Sequence, residues 1–188
     1  VKEALTDKVA VIGENLSIRR FEKVVASDGE ILVSFIHGGG RIAVLLKARA
    51  DDNDVVREAL SNIAMQVAAM NPRFISESDI DEGYRAHEEE ILRAQIENDP
   101  KEAAKPDKVK EGMIMGRINK EMKEICLLDQ VYVKAEDGKQ SVAKYLEQVS
   151  KETGSNLSVK RFVRFETGEG LEKKNEDFAA EVAAQMNA

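Results

Sequence analysis

The chain has no tryptophan, one cysteine, three prolines and two histidines among its 188 residues. The lone thiol, Cys126, excludes an intrachain disulfide, so a reducing, cytoplasmic compartment is the expected setting. With only His37 and His87 beside it, the chain lacks the clustered ligands of a zinc site, and no metal or cofactor is expected. Aromatic residues are 5% of the total, too few for a large β core. No run approaches the ~20 apolar residues that a membrane span needs. No signal peptide is visible. The net charge of −7 argues against non-specific nucleic-acid binding, which needs a basic face. Neither a membrane nor a nucleic acid is therefore an expected partner.

What is present is charge and periodicity. Leu5, Val9 and Ile12 at helical spacing predict a helix over residues 1–12, ended by Gly13. Residues 16–26, rich in Ile, Val and Phe, predict a strand that turns at Asp28-Gly29. Ile31, Val33 and Phe35 alternate, as do Ile42, Val44 and Leu46, predicting two more strands and a consecutive antiparallel set of three. Asp51, Asp52, Asn53 and Asp54 start a helix whose stripe is Val56, Leu60, Ile63, Val67 and Met70, closed by Pro72. Ile80, Tyr84, His87 and Ile91 then step at heptad spacing. Asn98-Asp99-Pro100 breaks that run, and Pro106 opens a second narrow-striped helix through Val109, Met113, Ile114, Ile118, Met122 and Ile125. Two such neighbours predict an antiparallel helical hairpin, with a pair of ordinary core helices as the alternative. A short extended piece at 131–133 follows, then a helix over 141–151, a fourth strand over 158–166 and a terminal helix over 173–186. The fold class is α+β: a small antiparallel sheet with packed helices, an inserted helical hairpin or coiled coil, and a C-terminal helix.

The stretch FIHGGGRIAVLL, residues 35–46, is the one that invites a chemical reading. An esterase oxyanion loop of the His-Gly-Gly-Gly type needs a nucleophile on G-x-S-x-G, and none exists here. A phosphate loop needs Lys-Ser/Thr after its last glycine and then a helix, whereas Gly40 is followed by Arg41 and a strand. The two glycines of TGEGLE, residues 167–172, lack the third of a dinucleotide fingerprint. The acidic run 51–54 lacks the spaced ligands of a calcium loop. Cys126, between Ile125 and Leu127, reads as a small buried hydrophobe. No catalytic residue emerges. Gly38, Gly39 and Gly40 read as a hairpin tip with His37 at its shoulder, either plain backbone relief or a recognition tip on a rigid sheet.

Several stretches taken in order resemble the elongation factor Ts family. GENLSIRR (13–20) is similar to its G-E-N-x-x-I-R-R. HGGGRI (37–42) is similar to H-G-G-R-I-G with one extra glycine, and Ala43 departs from the usual Gly. IAMQVAAMNP (63–72) is similar to I-A-M-H-V-A-A-x-x-P with Gln66 in place of His. KPDKVKEGMIMGRINK (105–120) resembles the second helix of the family's coiled-coil insertion. CLLDQVYVK (126–134) resembles C-L-L-E-Q-P-F-V-K, without the Pro at Val131. RFVRFETGEGLEK (161–173) resembles R-F-x-R-F-E-V-G-E-G-I-E-K.

The resemblance implies a guanine nucleotide exchange factor that binds elongation factor Tu, loosens its GDP and magnesium, and does no covalent chemistry. It implies residues 1–12 as a remnant of a first core subdomain, and 13–75 with 127–170 as a second. It implies 76–126 as the inserted hairpin and 171–188 as a C-terminal module. It points to His37, Gly38, Gly39, Gly40 and Arg41 as the tip that meets the third domain of elongation factor Tu. Phe178, Val182 and Met186 are then a helix face that meets its GTPase domain. The family's T-D-F-V wedge has no counterpart; Thr6-Asp7-Lys8-Val9 shares letters but lacks the Phe. The chain is thus expected to correspond to the C-terminal two-thirds of the family protein, retaining partner docking with little exchange activity. A structural module that self-associates into a homodimer through the hairpin is the alternative.

Overall fold

The structure, a computed structural model, describes residues 1–171. Alternating apolar side chains fold as strands β1 (Glu30–His37) and β2 (Ile42–Arg49), joined as an antiparallel hairpin that pairs His37 with Ile42 and Glu30 with Arg49. Strand β3 (Ser158–Glu166) adds antiparallel to the other edge of β2, with a bulge at Lys47/Ala48, giving the order β1-β2-β3. One face of this sheet carries Ile31, Val33, Val44, Leu46 and Ala48, all buried.

Helix α1 (Lys2–Ile12) ends at Gly13 in a left-handed conformation, φ 78°, and buries none of its residues. Helix α2 (Asp54–Met70) covers the inner sheet face. It starts where predicted: the Asn53 side chain accepts from the Val56 N–H at 2.9 Å. Val56, Leu60, Ile63 and Val67 are fully buried in its stripe, whereas Met70 at the end is half exposed. The short α4 (Pro100–Ala103) joins α3 (Glu82–Asn98) to α5 (Asp107–Ile125). Helix α6 (Val142–Thr153) is capped by the Ser141 hydroxyl, packs on α2, and sends Val142, Leu146 and Val149 into the same core.

Helices α3 and α5 form the predicted hairpin, with a core of their own built from Ile96, Ile114, Ile118 and Met122. Its seam is rotated from the heptad expectation. Ile80, Tyr84, Leu92 and Ile96 face α5, while His87 and Ile91 are exposed, as is Val109. The hairpin is stitched at its base by backbone bonds: Arg73 N–H to Ile125 O, Leu127 N–H to Phe74 O, and Leu128 N–H to Ile75 O, all 2.8–3.0 Å. None of the described helices is long and apolar enough to cross a membrane.

The predicted first strand, residues 16–26, does not form. The Asp28-Gly29 turn exists, closed by Glu30 N–H to Ser27 O at 3.0 Å, but no strand precedes it. The reason is charge. Arg20 pairs with Glu169 at 2.5 Å and stacks its guanidinium 4.6 Å from the Phe165 ring, and Glu22 pairs with Arg161 at 2.8 Å. These side-chain ties lay the segment over the outer face of β3 rather than beside β1, and the sheet has three strands instead of four.

Candidate functional site

The hairpin tip is a single tight turn in which three consecutive glycines take positive φ: 59° at Gly38, 65° at Gly39 and 101° at Gly40. Side-chain-bearing residues pay roughly 1–2 kcal/mol each for such angles, which explains the glycine run better than any ligand does. Arg41 N–H closes the turn on Gly38 O at 3.3 Å. The tip is braced from β3: Thr167 N–H and its hydroxyl both donate to Arg41 O, at 2.8 and 3.2 Å. The turn after β3 is itself pinned, because the Arg19 guanidinium donates to Glu169 O at 2.5 Å and Arg20 holds the Glu169 carboxylate. The glycines are therefore exposed but firmly mounted.

His37 does not project from the apex. Strand alternation puts it on the α2 side, two residues after Phe35, with the two rings stacked at 6.2 Å and 21°. There it walls a hollow of about 430 Å³ at the end of the sheet, together with Phe35, Ile42, Met65, Ala68, Ala69 and Arg164. Arg164 closes the polar wall. Its guanidinium donates to Ala68 O twice, at 3.3 Å, and to the Glu166 carboxylate at 2.8 Å. Sequence reasoning placed His37 and the glycines but missed Met65, Ala69 and Arg164. The available signal was the alternation of KRFVRFE, which sets Phe162, Arg164 and Glu166 on the core face. Phe178, Val182 and Met186 lie outside the described residues.

Cys126 is fully buried. Burial pushes its thiol up to about 11, with repulsion from Asp129, Glu77 and Asp79 adding to it. At neutral pH it is thus no nucleophile. Well below pH 9 the thiol is mostly neutral in both folded and unfolded chains; as pH rises from about 9 towards 11 the unfolded chain ionises first and stability falls. Alkylation by iodoacetamide at pH 8 is expected to be slow in buffer and fast in denaturing urea. Equal rates in the two would show that the thiol is accessible.

The family profile described as Elongation factor TS matches residues 1–169. Elongation factor Ts of Clostridium perfringens is 49% identical over 184 residues, covering 97% of this chain and 58% of the relative. The Clostridium novyi protein of the same name is 49% identical over 188 residues, covering all of this chain and 59% of the relative. That of Clostridium botulinum is 46% identical over the same span. The chain thus spans under two thirds of the length of these relatives. With matches running from its first helix through the turn after β3, the chain belongs to the elongation factor Ts family.

Proposed function

We propose that the chain docks on the GTPase elongation factor Tu and, as part of an exchange factor, favours the nucleotide-free state of that partner. The observation that carries the reading is the rigid glycine tip with His37 beside it, in a chain of this family. The tip offers a tight glycine turn and an exposed imidazole stacked on Phe35. Such a partner acts by binding one state of the GTPase more tightly than another, without covalent chemistry. Residues 13–75 and 127–170 form the docking subdomain, residues 76–126 an insertion, and residues 171–188, with Phe178, Val182 and Met186, a second contact. The setting is the cytoplasm, where translation occurs. Without the T-D-F-V wedge, these 188 residues dock but accelerate GDP release little.

His37→Ala is the direct test. Binding to the GDP form of elongation factor Tu, measured by calorimetry, should weaken about tenfold, as removal of one interface side chain commonly does. The melting temperature should hold, since His37 is exposed. A large loss of stability with unchanged binding would return the tip to a purely structural role.

A further inference from the structure

The helical hairpin carries a charge where its seam calls for an apolar side chain. Tyr84, Leu92 and Ile96 of α3 pack against Ile114, Ile118 and Met122 of α5. The position one turn after Tyr84 and one turn before Leu92 falls on the same side of α3. It holds Glu88, which is half-buried. On α5, Glu121 lies three residues after Ile118 and four before Ile125, at the edge of the facing stripe, and is half-buried too. Among the described residues neither carboxylate joins an ion pair or a hydrogen bond, because the nearby cations are engaged elsewhere. Arg85 donates to Asn119 at 3.3 Å, Arg117 to Glu102, and Lys120 pairs with Glu124 at 3.8 Å. Arg73, at the base, donates to the Tyr84 hydroxyl at 2.9 Å. Its charge attracts Glu121, against repulsion from Glu88 and Glu124. Burial, and then the Glu88 charge, hold the Glu121 carboxyl above its ordinary range.

We propose that Glu88 and Glu121 are a charge-controlled clasp in the hairpin: ionised together they loosen α3 from α5, and a proton taken up at the pair closes the seam. A charged seam position costs stability and is felt most in a small core. The hairpin can respond alone because its core is separate from the one under the sheet. A carboxyl raised in the folded state contributes stability below its unfolded value, and that contribution is lost as pH rises through the raised value. The hairpin is therefore tighter in mild acid than at neutral pH. Asp129 at the base is raised in the same sense, by burial and by Glu77, so the substitutions rather than pH alone carry the test.

The test measures amide-exchange protection in the whole 188-residue chain at about pH 5 and pH 7.5. Wild type is compared with Glu88→Gln, Glu121→Gln and the double variant. At the higher pH each single variant should protect the α3 and α5 amides about fivefold better, the upper end of what one partly screened charge pair carries. The double variant should add little, since removing either charge already ends the repulsion. Wild type should gain on the double variant as pH falls, and the amides of β1, β2 and β3 should ignore the substitutions. Unchanged or lower protection in Glu88→Gln overturns the clasp, because Glu88 has no cationic partner to lose. An equal gain from Glu90→Gln, an exposed carboxylate on the far side of α3, assigns the effect to net charge and overturns it as well.

Discussion

Gln66→Leu is expected to lower the free energy of unfolding by about 3 kcal/mol, read as a shift of the urea midpoint at constant slope. Gln66 is wholly buried on α2. Its amide donates to the Gln130 side chain and to Val131 O, both at 3.1 Å, and its carbonyl accepts from the Val133 N–H at 2.8 Å. Gln130 in turn donates to Glu124 O at 2.7 Å at the end of α5. One side chain thus ties α2 to the loop over residues 130–133 and, through Gln130, to the base of the hairpin. Leucine has nearly the same volume but leaves three polar partners unmatched. Each buried orphan costs ~1–3 kcal/mol, and the partial exposure of Val131 and Val133 lets water relieve some of it. Gln66→His should cost less, because an imidazole keeps one donor and one acceptor. A leucine variant within 1 kcal/mol of wild type would show that water already serves this network.

Ile118→Ala is expected to remove about 3 kcal/mol, and to remove it locally. Ile118 is fully buried among Ile96, Ile114 and Met122, a core separate from the one under the sheet. So small a core has no spare contacts to absorb a cavity. Amide exchange across α3 and α5 should accelerate roughly 100-fold, the factor that about 3 kcal/mol of local opening gives. The amides paired between β1, β2 and β3 should keep their protection. If the sheet amides speed up equally, the two cores unfold as one unit.

The helices were legible where one mechanism acted alone. Asn53 and Ser141 cap α2 and α6 with their own side chains, and the buried stripes of both helices follow from 3.6-residue spacing. Strands β1 and β2 were legible because one face of each is apolar and glycines separate them. Residues 16–26 misled because β propensity there competes with Arg20 and Glu22, whose partners Glu169 and Arg161 lie more than 130 residues away. The hairpin seam misled at His87 and Ile91 because the residues that meet α5, Tyr84, Leu92 and Ile96, step by multiples of four rather than by the heptad's four and three. The hollow beside His37 was legible only in the alternation that turns Arg164 to the core face; its other walls meet through tertiary packing. Strand pairing sets Ile42 opposite His37 and Arg164 opposite Val44, and α2 then lays Met65 and Ala69 across the end.

The backbone stitch at the base of the hairpin also bears on how the sheet assembles. Strand β3 must find β2 across roughly 110 intervening residues, a closure whose entropic cost rises with the logarithm of loop length. Once Phe74 and Leu127 are joined, the hairpin drops out of that loop and roughly halves it, easing closure by about 0.6 kcal/mol. The insertion therefore shortens the search for the last strand although it lengthens the chain, and its tip can vary in length without delaying the sheet.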